Sequence, residues 1–158
     1  MPQIFHKILL TLSLLAATLA QAQLSIEITG AGANRIPVAI TNFAGDAAAA
    51  QIVASTVRSD LERSGLFKLV DPAGATLDEN AQVNFGDWKN RGADALAAGS
   101  LARGADGRME ARFRLYDTQK QVSLGGAVYV TGNDQLRAAG HRIADYIYEK
   151  LTGEKGVF

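Results

Sequence analysis

The sequence predicts a mixed α/β domain: a five- to six-stranded mixed sheet with two long helices packed on one face. Three observations predict it. From Ile36 to Val70 the apolar pattern runs strand, helix, strand, the order of a right-handed crossover whose two strands are parallel. From Asp94 to Val130 three strand patterns follow on short links, as in an antiparallel meander. A second helical stripe then recurs as far as Leu151, so two helices serve one sheet.

The chain opens on a different kind of segment. "MPQIFHK" carries Lys7 ahead of "ILLTLSLLAATLA", an uncharged apolar run from Ile8 to Ala20, and "AQA" closes it. A basic start, a short apolar run and small residues two apart make a secretory signal peptide, so residues 1–22 are expected to be removed after Ala22. A spanning helix needs about 20 apolar residues, more than this run supplies. The exported chain is therefore expected to begin at Gln23 and to insert in no membrane.

Its first segment, "LSIEIT", alternates: Leu24, Ile26 and Ile28 on one side, Ser25, Glu27 and Thr29 on the other. That is the pattern of a half-buried strand. "GAGAN" (Gly30–Asn34) follows as a flexible joint. A strand on such a tether either pairs with its own sheet or adds itself to an exposed edge of another protein. Both readings stand on the sequence.

"IPVAITNF" (Ile36–Phe43) is nearly all apolar, as in a strand buried on both faces, with Pro37 at its start where a missing N–H is tolerated. Asp46 is placed to cap a helix in which Ala50, Val53, Val57 and Leu61 form the apolar stripe, and Gly65 stops it. "LFKLV" (Leu66–Val70) is the second strand of the crossover. The longest irregular stretch is Asp71–Gly92, with one helical turn expected around Trp88. In the meander, Met109, Ala111, Phe113 and Leu115 alternate cleanly against Arg108, Glu110, Arg112 and Arg114. The last strand keeps Val122, Leu124, Val128 and Val130 on one parity, and Gly125-Gly126 marks a bulge or a close approach. The final helix starts near Asn133 or Asp134 with Leu136, Gly140, Ile143, Ile147 and Leu151 as its stripe, and Gly140 is expected to lie close against the sheet. Gly153 ends it. Glu154–Gly156 then reads as a joint before the apolar Val157 and Phe158.

Removing the leader takes only Lys7 among the charges and leaves fifteen Lys and Arg against sixteen Asp and Glu. So balanced a chain offers no general field for nucleic acid or an anionic membrane. With no cysteine, thiol catalysis and thiolate metal sites are excluded.

Few residues look like chemistry. His141 and Asp145, four apart on the last helix, share a face as a general acid/base pair would, or as an exposed pair supporting the helix. His6 is expected to leave with the leader, so a multi-histidine site cannot be built. Arg108, Arg112 and Arg114 form a basic strip broken by Glu110, suited to an anionic partner or to a solvated sheet face. Asp78, Glu79 and Asp87 are hard-cation ligand types whose spacing fits no calcium loop. Ser100 and Ser123 lack a nucleophile-elbow motif, and "GDWKNRGAD" lacks the spacing of a phosphate cradle. No catalytic residue, metal ligand or cofactor site is assigned. The alternative is a small enzyme or ligand-binding domain that uses the Asp71–Gly92 loop beside His141.

"LRAAGHRIADYIYEKLTGEKGVF" (Leu136–Phe158) resembles the end of the N-terminal domain of the TolB family. "IPVAITNFAG", "LERSGLFKLVD" and "WKNRGADALAAGSL" are similar to that domain's other segments, in order. The resemblance implies a monomeric, non-enzymatic periplasmic adaptor of the Tol–Pal system, without cofactor. Such a protein bridges TolA and the outer-membrane lipoprotein Pal and supports outer-membrane integrity and constriction at division. In some bacteria it also serves colicin and phage import. It places TolA binding, through the TolA C-terminal domain, at the mature N-terminus: Gln23, Leu24, Ser25, Ile26, Glu27, Ile28 and Thr29, within the stretch running to about Asn34. Family members continue into a six-bladed propeller that binds Pal, so Pal is expected as a partner only in a longer product carrying it. The domain limits expected are 1–22 for the leader, 23–34 for the binding segment, 35–153 for the α/β domain and 154–158 for a linker.

Overall fold

The computed structural model describes residues 34–158; the expected leader and the segment Gln23–Thr29 lie outside them. β1 (Ile36–Ile40) and β2 (Ala44–Gly45) lead into α1 (Ala47–Arg63) and β3 (Phe67–Val70). After the long connection, which contains α2 (Phe85–Asn90), come β4 (Ala95–Arg103), β5 (Met109–Asp117) and β6 (Val122–Thr131). A 3₁₀ turn (Asn133–Gln135) then opens α3 (Leu136–Thr152). The strands form one sheet in the order β3-β1-β4-β5-β6, with β2 beside β4. β1 is parallel to both β3 and β4, and β4-β5-β6 is the antiparallel meander. The mixed sheet and its two long helices on one face are as the sequence predicts.

Local chemistry fixes the helix ends. Asp46 accepts a hydrogen bond from the Ala49 amide at 3.0 Å and so caps α1. Gly153, at φ 78°, closes α3 in the left-handed conformation that glycine adopts without a Cβ clash.

The helices cover one face of the sheet. Val53, Val57 and Leu61 of α1 and Ile143 and Ile147 of α3 pack on Val38, Ile40, Met109, Ala111, Phe113 and Leu115. At their seam a Cβ on Gly140 would stand 2.6 Å from the Thr56 Cβ. The close approach expected at Gly140 is therefore made to α1 rather than to the sheet. The opposite face is covered at β1, β4 and the end of β5 by the Asp71–Gly92 connection, which is not a bare loop. Its Trp88, Leu77, Val83 and Phe85 pack on Ala39, Leu96, Ala98 and Tyr116.

β6 departs from the expected parity. Opposite the Leu115–Tyr116 step the pairing jumps from Gly125 to Ser123, so Leu124 is the extra residue of a bulge. The bulge inverts every later side chain. Ala127 and Tyr129 reach the helix-side core, whereas Val128 and Val130 are exposed on the other face. Beyond α3 the chain turns back: the Phe158 amide donates to Asp145 at 2.9 Å, and its ring meets Tyr148 edge-on at 5.7 Å. Among the described residues no helix is long and apolar enough to cross a membrane.

Candidate functional site

In open α/β sheets, ligands usually settle beyond the carboxyl ends of the strands, where the strand order reverses. Here that point lies between β1 and β4, and the chain fills it with itself. β2 continues along β4, and Asn42 bridges to Thr76 from the connection after β3. Arg58 of α1 reaches in and donates to the carbonyl oxygens of Ile40 and Thr41, at 2.9 Å each, and to Asn42 Oδ1 at 3.0 Å. Burial pushes the Arg58 guanidinium below its ordinary pKa, and Asp71 opposes the shift. A groove of about 460 Å³ remains beside it, walled by Phe43, Ala50 and Ala54, but its arginine is already spent on backbone.

The second site lies on the seam between α1 and α3. Asp60, fully buried, accepts from His141 Nδ1 at 2.6 Å through one oxygen and from Arg63 through the other. His141 thus chooses Asp60 of α1 over Asp145, its expected neighbour on the same helix, whose carboxylate takes the Phe158 amide instead. Asp60 went unassigned in the sequence. The signal was there: it stands three residues after Val57, on the buried side of α1, where an acid needs a partner.

Asp60, His141, Ser55 and Ser59 together supply the residue types of a nucleophilic triad. Their arrangement does not. The Ser55 hydroxyl donates to the Ile52 carbonyl at 3.0 Å. Both serines stand inside α1, where helical bonding consumes the backbone N–H groups that an oxyanion would need. The Asp71–Gly92 connection lies on the far side of the sheet from His141, so the enzyme site expected from that loop beside His141 does not assemble.

The remaining candidates are held in local pairs. Arg108 donates to Asp106 at 2.7 Å and Arg112 to Glu110, while Arg114 is exposed. The hydrogen bond from Arg108 holds the Asp106 carboxyl below its usual range. Ser100 donates to Glu79 at 2.5 Å, and Asp78 accepts from the Asn80 amide. Ser123 accepts from the Gly125 amide. Trp88 is buried, with Arg91 over its ring at 5.4 Å. Among the described residues no three His, Cys, Asp or Glu side chains converge as metal ligands.

The site residues expected from the alternating segment, Gln23–Thr29, lie outside the described residues. β1 is tied at its start, where the Ile36 amide donates to the Leu66 carbonyl at 2.8 Å. The strand is thereby fixed from its first residue.

Residues 24–124 match the family described as the TolB amino-terminal domain, which is more than half of the chain. The Tol-Pal system protein TolB of Dechloromonas aromatica is 74% identical over 158 residues, covering 100% of this chain and 37% of the relative. That of Aromatoleum aromaticum is 54% identical over 151 residues, 92% of this chain and 35% of the relative. The crystal structure of TolB from Acinetobacter baumannii superposes with a TM-score of 0.67 at 32% identity, over 77% of this chain and 29% of that one. The chain thus spans about a third of the length of the curated relatives it matches. On the matched residues and the superposition together, the chain belongs to the TolB amino-terminal domain family.

Proposed function

We propose that this chain is a non-enzymatic periplasmic adaptor of the Tol–Pal system that binds the TolA C-terminal domain through Gln23–Thr29. One observation supports the reading: the match to the family's model begins at Leu24, the first apolar residue of the alternating segment. The self-filled crevice at the sheet's switch point supports a role in contacts rather than in turnover. In this reading residues 1–22 direct export and are cleaved after Ala22, and the segment adds itself as a strand to the partner. Main-chain hydrogen bonds supply affinity, and Leu24, Ile26 and Ile28 set the register. Support of outer-membrane integrity and constriction at division, colicin and phage import in some bacteria, and Pal binding through a propeller belong to the same proposal for the longer product.

The alternation gives the test. Calorimetry against the TolA C-terminal domain compares Leu24, Ile26 and Ile28 each changed to Asp with Ser25 and Thr29 changed to Asp. Binding is lost in the first set and kept within a few fold in the second. Equal losses in both sets, or none in either, would reject strand addition.

A further inference from the structure

The Asp60–His141 pair floors a groove of about 540 Å³ on the outer surface of the helix layer. We infer that this groove is a second docking site, taking an acidic peptide segment. A buried carboxylate costs free energy unless its oxygens are well paired, and here both are used to hold donors in place. One oxygen orients the Arg63 guanidinium. The other engages His141 Nδ1, which turns Nε2 away from Asp60 on a side chain that is 38% exposed. Arg137, one turn before His141 on α3, lines the same groove. The single lining carboxylate is thus outnumbered by two arginines before the imidazole is counted, so the groove attracts negative charge.

Its shape favours a peptide over a point anion. The lining residues of α1 run from Ile52 to Arg63, a rise of roughly 16 Å along the helix. An extended chain of about five residues covers that distance. Ile52, 39% exposed, gives an apolar rest at one end of that run, and Arg63 stands at the other. Arginine forks bind carboxylates in two-point geometry, which fixes the ligand's orientation as well as its charge. The lining residues are other than Gln23–Thr29, and the inference does not rest on the TolA proposal.

The probe is a fluorescent peptide of one leucine and four glutamates, titrated into the full chain and followed by anisotropy and amide NMR shifts. The glutamate peptide is expected to shift the amides of Ser59, Arg63, Arg137 and His141. Arg137→Gln, on an exposed side chain whose loss leaves the core intact, weakens it by about tenfold, the scale of one charge-assisted contact. Arg142→Gln, outside the groove, leaves affinity unchanged. Equal binding of the peptide with glutamine in place of glutamate would overturn the inference, as would unaltered affinity in Arg137→Gln or shifts mapping elsewhere. Inorganic phosphate shifting the same amides as strongly as the peptide would overturn the peptide assignment.

Discussion

Asp60 stands where the α1 pattern asks for an apolar side chain, and it survives there because His141 and Arg63 use both its oxygens. Periodicity read the stripe correctly at Ala50, Val53, Val57 and Leu61. It could not choose a partner for His141, because which acid faces it depends on how α1 and α3 cross. Removing the imidazole leaves one buried oxygen without its donor, a loss of about 1–3 kcal/mol. His141→Ala should therefore lower stability by that amount in urea unfolding, with TolA affinity unchanged. A second residue-scale effect comes from Tyr116, whose hydroxyl pKa burial raises above the ordinary value. A group whose folded pKa is raised contributes stability below its unfolded value, about 10, and loses it as pH climbs through the folded value. Between about pH 9 and pH 12 the wild type should lose more stability than Tyr116→Phe, measured by denaturant unfolding at each pH. Burial also raises Tyr129, so the substitution removes only part of the alkaline loss.

At the scale of elements, both long helices, the crossover and the meander were legible because each buries one stripe or one parity. The second half of β6 was not. A bulge at Leu124 shifts the parity by one residue, and four valines and leucines at even positions give no warning of it. Gly125 and Gly126 marked the place but not its consequence, which is to leave Val128 exposed at 54%. The helix seam shows the same limit: Gly140 signalled a close approach without saying to what. In Gly140→Ala the new methyl group meets Thr56, and the carbonyl of Val53 at 3.2 Å stands behind it. Overpacking of this kind costs about 1–3 kcal/mol, more than the roughly 1 kcal/mol that alanine returns in helix propensity. The thermal midpoint should fall, and a rise would mean that the helices separate freely.

Across the whole molecule the centre of the sheet, at β1 and β4, is covered on both faces, and this explains the long connection. β1 reads as apolar on both sides, so something had to cover the face away from the helices. The sequence offered Asp71–Gly92 as an irregular stretch around one helical turn. Its apolar residues Leu77, Val83, Phe85 and Trp88 are spaced by no single period, and only the fold brings them onto Ala39, Leu96 and Ala98. The same connection helps to fill the crevice at the switch point, where its Thr76 bridges to Asn42. Deleting Gln23–Thr29 and titrating the chain with the TolA C-terminal domain by calorimetry tests the adaptor assignment most directly. Binding should vanish while the thermal midpoint stays nearly unchanged; retained affinity in the deletion would contradict it.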